Sequence, residues 1–231
     1  MIKFENTDTM GWEHAIRGMR NPLESWAKSD TNFDDYRDTG CDLNFLTLGP
    51  NDLSLMMRLR NAGSDERKFM RQIIVSVDIT APLYWWKEYD TYKVGTVANS
   101  TSTMHTIHKK PLSLDDFSHE HLYGIEDYPV TLYFDDERLK FDSSSLGGLE
   151  IIIGLLNHYR ERYLETKNKV FWLQMIQLLP TSYNQKRTVT LNYEVLTNMY
   201  HARKAHKLDE WRELCRWIES LPYSQLITGE S

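Results

Sequence analysis

The chain has 231 residues, 41% hydrophobic and 26% charged, enough apolar material for one large folded domain spanning 1–231. A formal net charge of −6 excludes the basic field that nonspecific DNA or RNA binding needs, although one local arginine or lysine pocket would still suit a small anionic nucleotide. No apolar run approaches bilayer length and no signal peptide is recognised, so no membrane partner and a reducing, cytoplasmic setting in a bacterium or a virus that infects one are expected.

Residues 1–42 read as polar and irregular, with a short helix around Gly11–Trp26. Gly49-Pro50-Asn51 opens the first clear helix, with Asn51 placed to cap it, an apolar face of Leu53, Met56, Met57 and Leu59, and an end at Gly63. Gln72–Thr80 alternates, with Ile73, Val75, Val77 and Ile79 on one side and Ser76, Asp78 and Thr80 on the other, so the spacing predicts a half-buried strand. Ala81-Pro82 ends that strand and starts a helix crowded with Tyr84, Trp85, Trp86, Tyr89 and Tyr92. Thr96–Ile107 reads as a loop or pocket wall. An irregular insertion at about 108–147 contains a short strand at Val130–Phe134. Gly147-Gly148 then precedes a long helix through about Lys167, with Ile152, Leu155, Leu156, Tyr159 and Tyr163 on its stripe. A second helix covers Val170–Leu179 and stops at Pro180, helical spacing resumes over Thr190–Ala205, and a last helix over Leu208–Leu221 points Trp211, Leu214 and Ile218 inward. The expected class is α+β, helix-rich, with a small, mainly antiparallel sheet.

Chemistry-bearing patterns are few. His105-x-x-His108 and His119-Glu120-His121 lack helical metal-binding spacing and have no cysteine nearby, so they read as solvated loop histidines and no metal is expected. Asp135-Asp136-Glu137 reads as a solvated acidic run. Cys41 and Cys215 form no CxxC, and Cys215 falls in an apolar helical stripe, as a packed thiol would. The aromatic share of 12% suits a core, a subunit interface or a ring-stacking wall. Asn192 and Arg203 are eleven residues apart, nearly three helical turns, so on one helix they would share a face: either solvated surface or a stripe suited to an anionic ligand.

Two segments together resemble the flavin-dependent thymidylate synthases. That family shows a strand, Ala-Pro, and an aromatic-rich helix leading into Arg-His-Arg-x-x-Ser-x-Asn-Glu-x-Ser-x-Arg; Ile73–Thr80, Ala81-Pro82 and Leu83-Tyr84 resemble that approach. It also carries Leu-Pro, an Asn about a dozen residues later, an Asn six further on and an Arg five beyond, matched by Leu179-Pro180, Asn192, Asn198 and Arg203. The resemblance implies FAD held by Asn192, Asn198, Tyr92 and Lys93, and a pyrimidine nucleotide held by Arg203 and Thr101. It further implies reductive methylation of dUMP to dTMP with methylenetetrahydrofolate and NADPH, without a cysteine nucleophile, in a homotetramer.

The departures cluster in the signature. Thr91-Tyr92-Lys93 stands in place of Arg-His-Arg, Thr96 takes the serine position, Ala98-Asn99 replaces Asn-Glu, and Thr101 and Thr103 replace the later serine and arginine. Ile176 lies where the family has a nucleotide arginine, and Glu194 replaces an arginine two residues after Asn192, where a carboxylate would repel phosphate. Losing charged hydrogen bonds at ~1.5–3 kcal/mol each leaves a second reading open: a non-catalytic descendant acting as sensor, inhibitor or structural oligomer. Arg17, Arg20 and Lys28 are candidates to supply the missing charge.

Overall fold

Strand formation begins earlier than the polarity of the first 42 residues suggests. The computed structural model describes residues 2–34, 45–134 and 139–229; Cys41 and Asp135-Asp136-Glu137 lie outside them. In place of the irregular start is strand β1 (Lys3–Met10), and the short helix expected around Gly11–Trp26 is present as α1 (Trp12–Arg20). Gly11 joins them at φ 86°, and a Cβ there would come within 2.1 Å of the Gln72 carbonyl oxygen, so only glycine fits. Helix α1 buries Trp12, Ala15, Ile16 and Met19 along one stripe.

The short strands β2 (Asn32–Asp34) and β3 (Phe45–Thr47) pair antiparallel. Helix α2 (Pro50–Ala62) follows, with Gly49 rather than Asn51 at its N-cap position. Asp30 takes the capping role from a distance: its carboxylate accepts from the backbone N–H of Asn51 at 2.9 Å and of Asp52 at 3.1 Å. A 3-10 segment, Arg67–Gln72, leads into strand β4 (Ile74–Pro82), which buries Val75, Val77 and Ile79 and leaves Ser76, Asp78 and Thr80 half-buried. The alternation therefore holds, shifted two residues toward Ala81-Pro82. Pro82 occupies the N-cap position of helix α3 (Leu83–Tyr89), as its missing N–H allows.

Thr96–Ile107 is more regular than expected, with strand β5 (Val97–Ser100) and the single-turn helix α4 (Thr103–Thr106). The strand at Val130–Phe134, β6, is present and pairs antiparallel with β7 (Leu139–Ser143). Helix α5 (Ser145–Thr166) starts before Gly147-Gly148, because the Ser144 hydroxyl accepts from the Gly147 N–H at 3.0 Å. Helix α6 (Lys169–Leu178) ends as Pro180 dictates. Strand β8 (Asn184–Asn192), helix α7 (Tyr193–Arg203), helix α8 (Asp209–Glu219) and the short α9 (Gln225–Thr228) complete the order. The larger sheet runs β1-β4-β8-β5. The architecture is the expected helix-rich α+β class with little sheet.

The fold divides into two compact units: Met1–Lys3, Ile79–Thr91 and Asn99–Arg187; and Phe4–Asp78, Tyr92–Ala98 and Thr188–Ser231. In the first, Ile107, Leu112, Phe117, Leu149, Ile153, Leu156 and Met175 form one buried cluster. In the second, the fully buried side chains include Met56, Met70, Ile73, Leu196 and Trp211. Cys215 is buried beside them, and burial, reinforced by Glu219, pushes its thiol up to about 11, so it is a packed neutral side chain as expected. Among the described residues no helix is long and apolar enough to cross a membrane.

Candidate functional site

Helix α7 is built differently from the single helix expected over Thr190–Ala205. Residues through Asn192 belong to β8, where Gln185, Val189 and Leu191 are buried at strand spacing. Asn192 has extended backbone, and its Oδ1 accepts from the Val195 N–H at 3.0 Å. It is thus the N-cap, and the helical-face argument that joined it to Arg203 does not apply. The ambiguity is physical: Leu191, Val195 and Met199 fit a helical stripe, while Val189 and Leu191 also fit alternation. The Tyr193 N–H donates to the Ile73 carbonyl at 3.1 Å, fastening this strand-to-helix junction beside β4.

Along α7, Leu196, Met199 and Tyr200 are buried, while Asn198 and His201 are exposed. Glu194 does not present a bare carboxylate. Arg71 donates to it through Nε and Nη2, and Arg67 Nε lies 3.4 Å from its Oε1. Arg67 Nη2 also donates to Asn198 Oδ1 at 3.4 Å. The Arg71 hydrogen bond, outweighing partial burial and aided by Arg67, holds the Glu194 carboxyl below the usual carboxylate range. Arg60 extends the cationic group: its Nη2 lies 3.2 Å from His201 Nε2, and burial together with the Arg67 charge lowers its pKa. The expected repulsion by Glu194 is therefore offset by cations from the Arg67–Gln72 segment. Sequence reasoning missed Arg67 and Arg71, which lie in a short 3-10 segment before β4 and match no motif.

At the other end of α7, the fold brings together two expected site residues. Arg203 Nε donates to the Tyr92 hydroxyl at 2.8 Å. The guanidinium carbon lies 4.5 Å from the Trp211 ring centroid and 5.5 Å from that of Tyr92. Gly95, at φ 74°, lets the Tyr92–Ala98 segment approach α7: a Cβ there would sit 2.9 Å from Val195 Cγ2 and 3.3 Å from Asn192 Nδ2. Lys93 is exposed and makes no hydrogen bond or ion pair among the described residues. Asn192, Asn198, Tyr92, Lys93 and Arg203 belong to one unit; Thr101 belongs to the other. There the Thr101 N–H and hydroxyl both donate to the Lys186 carbonyl, at 2.9 and 3.2 Å, and Gln185 Nε2 donates to the Thr101 carbonyl at 2.9 Å. Arg20 is not a spare cation, because it is buried against Asp52; Arg17 is exposed.

No family model matches the chain, and no curated protein sequence does. Solved structures do match. Thymidylate synthase X (ThyX) from Helicobacter pylori with FAD and dUMP aligns over 99% of this chain and 97% of that one, with a TM-score of 0.63 at 15% identity. A second Helicobacter pylori ThyX structure, complexed with FAD and dUMP, aligns over 99% and 98% with a TM-score of 0.62 at 16% identity. The UMP/dUMP methylase PolB from Streptomyces cacaoi, bound with 5-Br dUMP, aligns over 99% and 95% with a TM-score of 0.60 at 13% identity. The chain has the ThyX fold.

That likeness takes in the N-terminal residues as well as the segment from about 50 onward that carries the sequence resemblance. Arg67 and Arg71 keep their guanidinium groups on Glu194, Arg67 also reaches the exposed Asn198, and Asn192 presents an amide nitrogen beside Gly95. Glu194 on α7 is thus paired with cations from the segment facing it.

Proposed function

We propose that this chain is a flavin-dependent enzyme that binds a pyrimidine nucleoside monophosphate and methylates its base, the reaction being reductive methylation of dUMP to dTMP with methylenetetrahydrofolate, FAD and NADPH. Support comes from three structural neighbours that align with 99% of this chain: two ThyX structures with FAD and dUMP, and a UMP/dUMP methylase with 5-Br dUMP. The observation that carries the reading to residues is Arg203, fixed through Nε by Tyr92 and packed on Trp211. A guanidinium held in one orientation loses less freedom when it grips an anion.

Asn192, Asn198, Tyr92 and Lys93 would hold FAD, with Arg67 and Arg71 as counter-charges for its diphosphate. Arg203 would hold the nucleotide. Bound flavin, once reduced, supplies the reducing equivalents of the methyl transfer; the protein's own task is to orient two anionic ligands and exclude water. A homotetramer in the cytoplasm is part of this proposal. The test is calorimetric titration of dUMP into the FAD-loaded protein: loss of one charged hydrogen bond in Arg203→Ala should weaken binding by roughly 10- to 150-fold, from ~1.5–3 kcal/mol. Equal dUMP affinity in wild type and variant would remove Arg203 from the site.

A second reading is favoured by one observation, the single cation Lys93 between Thr91 and Thr103. On it the chain is a non-catalytic descendant that binds a nucleotide or partner protein as sensor, inhibitor or structural oligomer. Folate- and NADPH-dependent dTMP formation from dUMP would rule it out.

A further inference from the structure

A cavity of about 540 Å3 lies near the start of α2, lined by Arg20, Ser25, Lys28, Asn51, Ser54 and Arg58 together with two leucines. All its lining residues fall in one unit and none carries a carboxylate. Arg20 is not available to a ligand, because its Nε donates to Asp52 Oδ1 at 2.7 Å. Its other nitrogens build the wall instead: Nη1 donates to the Ser25 carbonyl at 3.1 Å and Nη2 to the Lys28 carbonyl at 3.1 Å. The backbone bearing Ser25 and Lys28 is thereby pinned to a buried ion pair. Two acids at the start of α2 are already engaged, Asp52 by Arg20, Ser29 and Thr31, and Asp30 by the backbone of Asn51 and Asp52. Lys28 and Arg58, in contrast, make no side-chain hydrogen bond or ion pair among the described residues.

We infer that this cavity is an oxyanion-binding site that takes a phosphate group between Lys28 and Arg58. A guanidinium fork and an ammonium match the two charges of a phosphate monoester, and the Ser25, Ser54 and Asn51 side chains can donate to the remaining oxygens. Ser25 Oγ accepts from Arg20 Nη1 at 3.4 Å, which directs its proton elsewhere. The volume is that of a small-metabolite site, large enough for a phosphorylated molecule and not only for the free ion. The site is independent of the nucleotide reading at Arg203.

Isothermal titration of the full chain with inorganic phosphate and with pyrophosphate tests it, with acetate as the carboxylate comparison. The expected result is one saturable site for the phosphate probes, weakened about tenfold or more in Arg58→Ala and in Lys28→Ala, partly kept in Arg58→Lys, and unchanged in Arg203→Ala. Thermal melts of each variant establish that it is folded; both side chains are exposed and neither supports the core. Absence of phosphate binding in the wild type overturns the inference. So does unchanged binding in Arg58→Ala, or loss confined to Arg203→Ala, which would assign the anion to α7. Stronger acetate than phosphate binding would also overturn the assignment of a phosphate ligand.

Discussion

Replacing Asp52 with alanine should be among the most damaging single changes in the chain. Its side chain is fully buried and Arg20 is 4% exposed. One carboxylate oxygen takes Arg20 Nε at 2.7 Å and Nη2 at 2.6 Å. The other accepts from the Ser29 hydroxyl at 2.8 Å, the Asp30 N–H at 3.1 Å, and the Thr31 N–H and hydroxyl at 3.0 and 2.7 Å. Alanine would strand a buried guanidinium and several donors at once, which costs about 3–5 kcal/mol. At a urea slope of about 2.5 kcal/mol/M this lowers the unfolding midpoint by roughly 1.5 M, read by tryptophan fluorescence. A loss below about 1 kcal/mol would refute the argument that this pair is a closed, desolvated network. Burial opposes ionisation of Asp52, but hydrogen bonds from Thr31, Ser29 and Arg20 win and hold its pKa below the ordinary value. Its stabilisation is therefore present above about pH 4 and fades as pH falls through the depressed folded value, so the wild type and Asp52→Ala should converge in stability under acid.

In a Cys41→Ser background, Cys215 should resist thiol reagents at pH 8 until the protein unfolds, because burial keeps the thiol protonated up to about 11; rapid native labelling would contradict this. Gly95→Ala should destabilise the protein by about 1–2 kcal/mol, since φ is 74° and the added Cβ meets Val195; an unchanged melting temperature would mean the segment does not pack on α7 as described.

Much of the fold was legible in local pattern. The alternation of Val75, Val77 and Ile79, the stop at Pro180 and the inward stripe of Trp211, Leu214 and Ile218 all correspond to observed elements. The failures share a cause. β1 buries none of its residues, so alternation left no apolar signature there. At Asn192 two periodicities overlap, and only tertiary pairing with β4 decides where strand yields to helix. Asn198 and Arg203 were legible as candidates because they carry chemistry along the chain. The site was not legible where partners come from distant segments: no spacing rule joins Glu194 to Arg67 and Arg71, or Arg203 to Tyr92.

The proposal that this ThyX fold still serves flavin chemistry is tested most directly by titrating FAD into the purified protein and following its visible absorption, with and without dUMP. The account predicts a saturable spectral change, tightened by dUMP and weakened when Arg67 and Arg71 are both replaced by alanine. An FAD spectrum that stays that of the free cofactor at every protein concentration, with no rise in melting temperature, would contradict it.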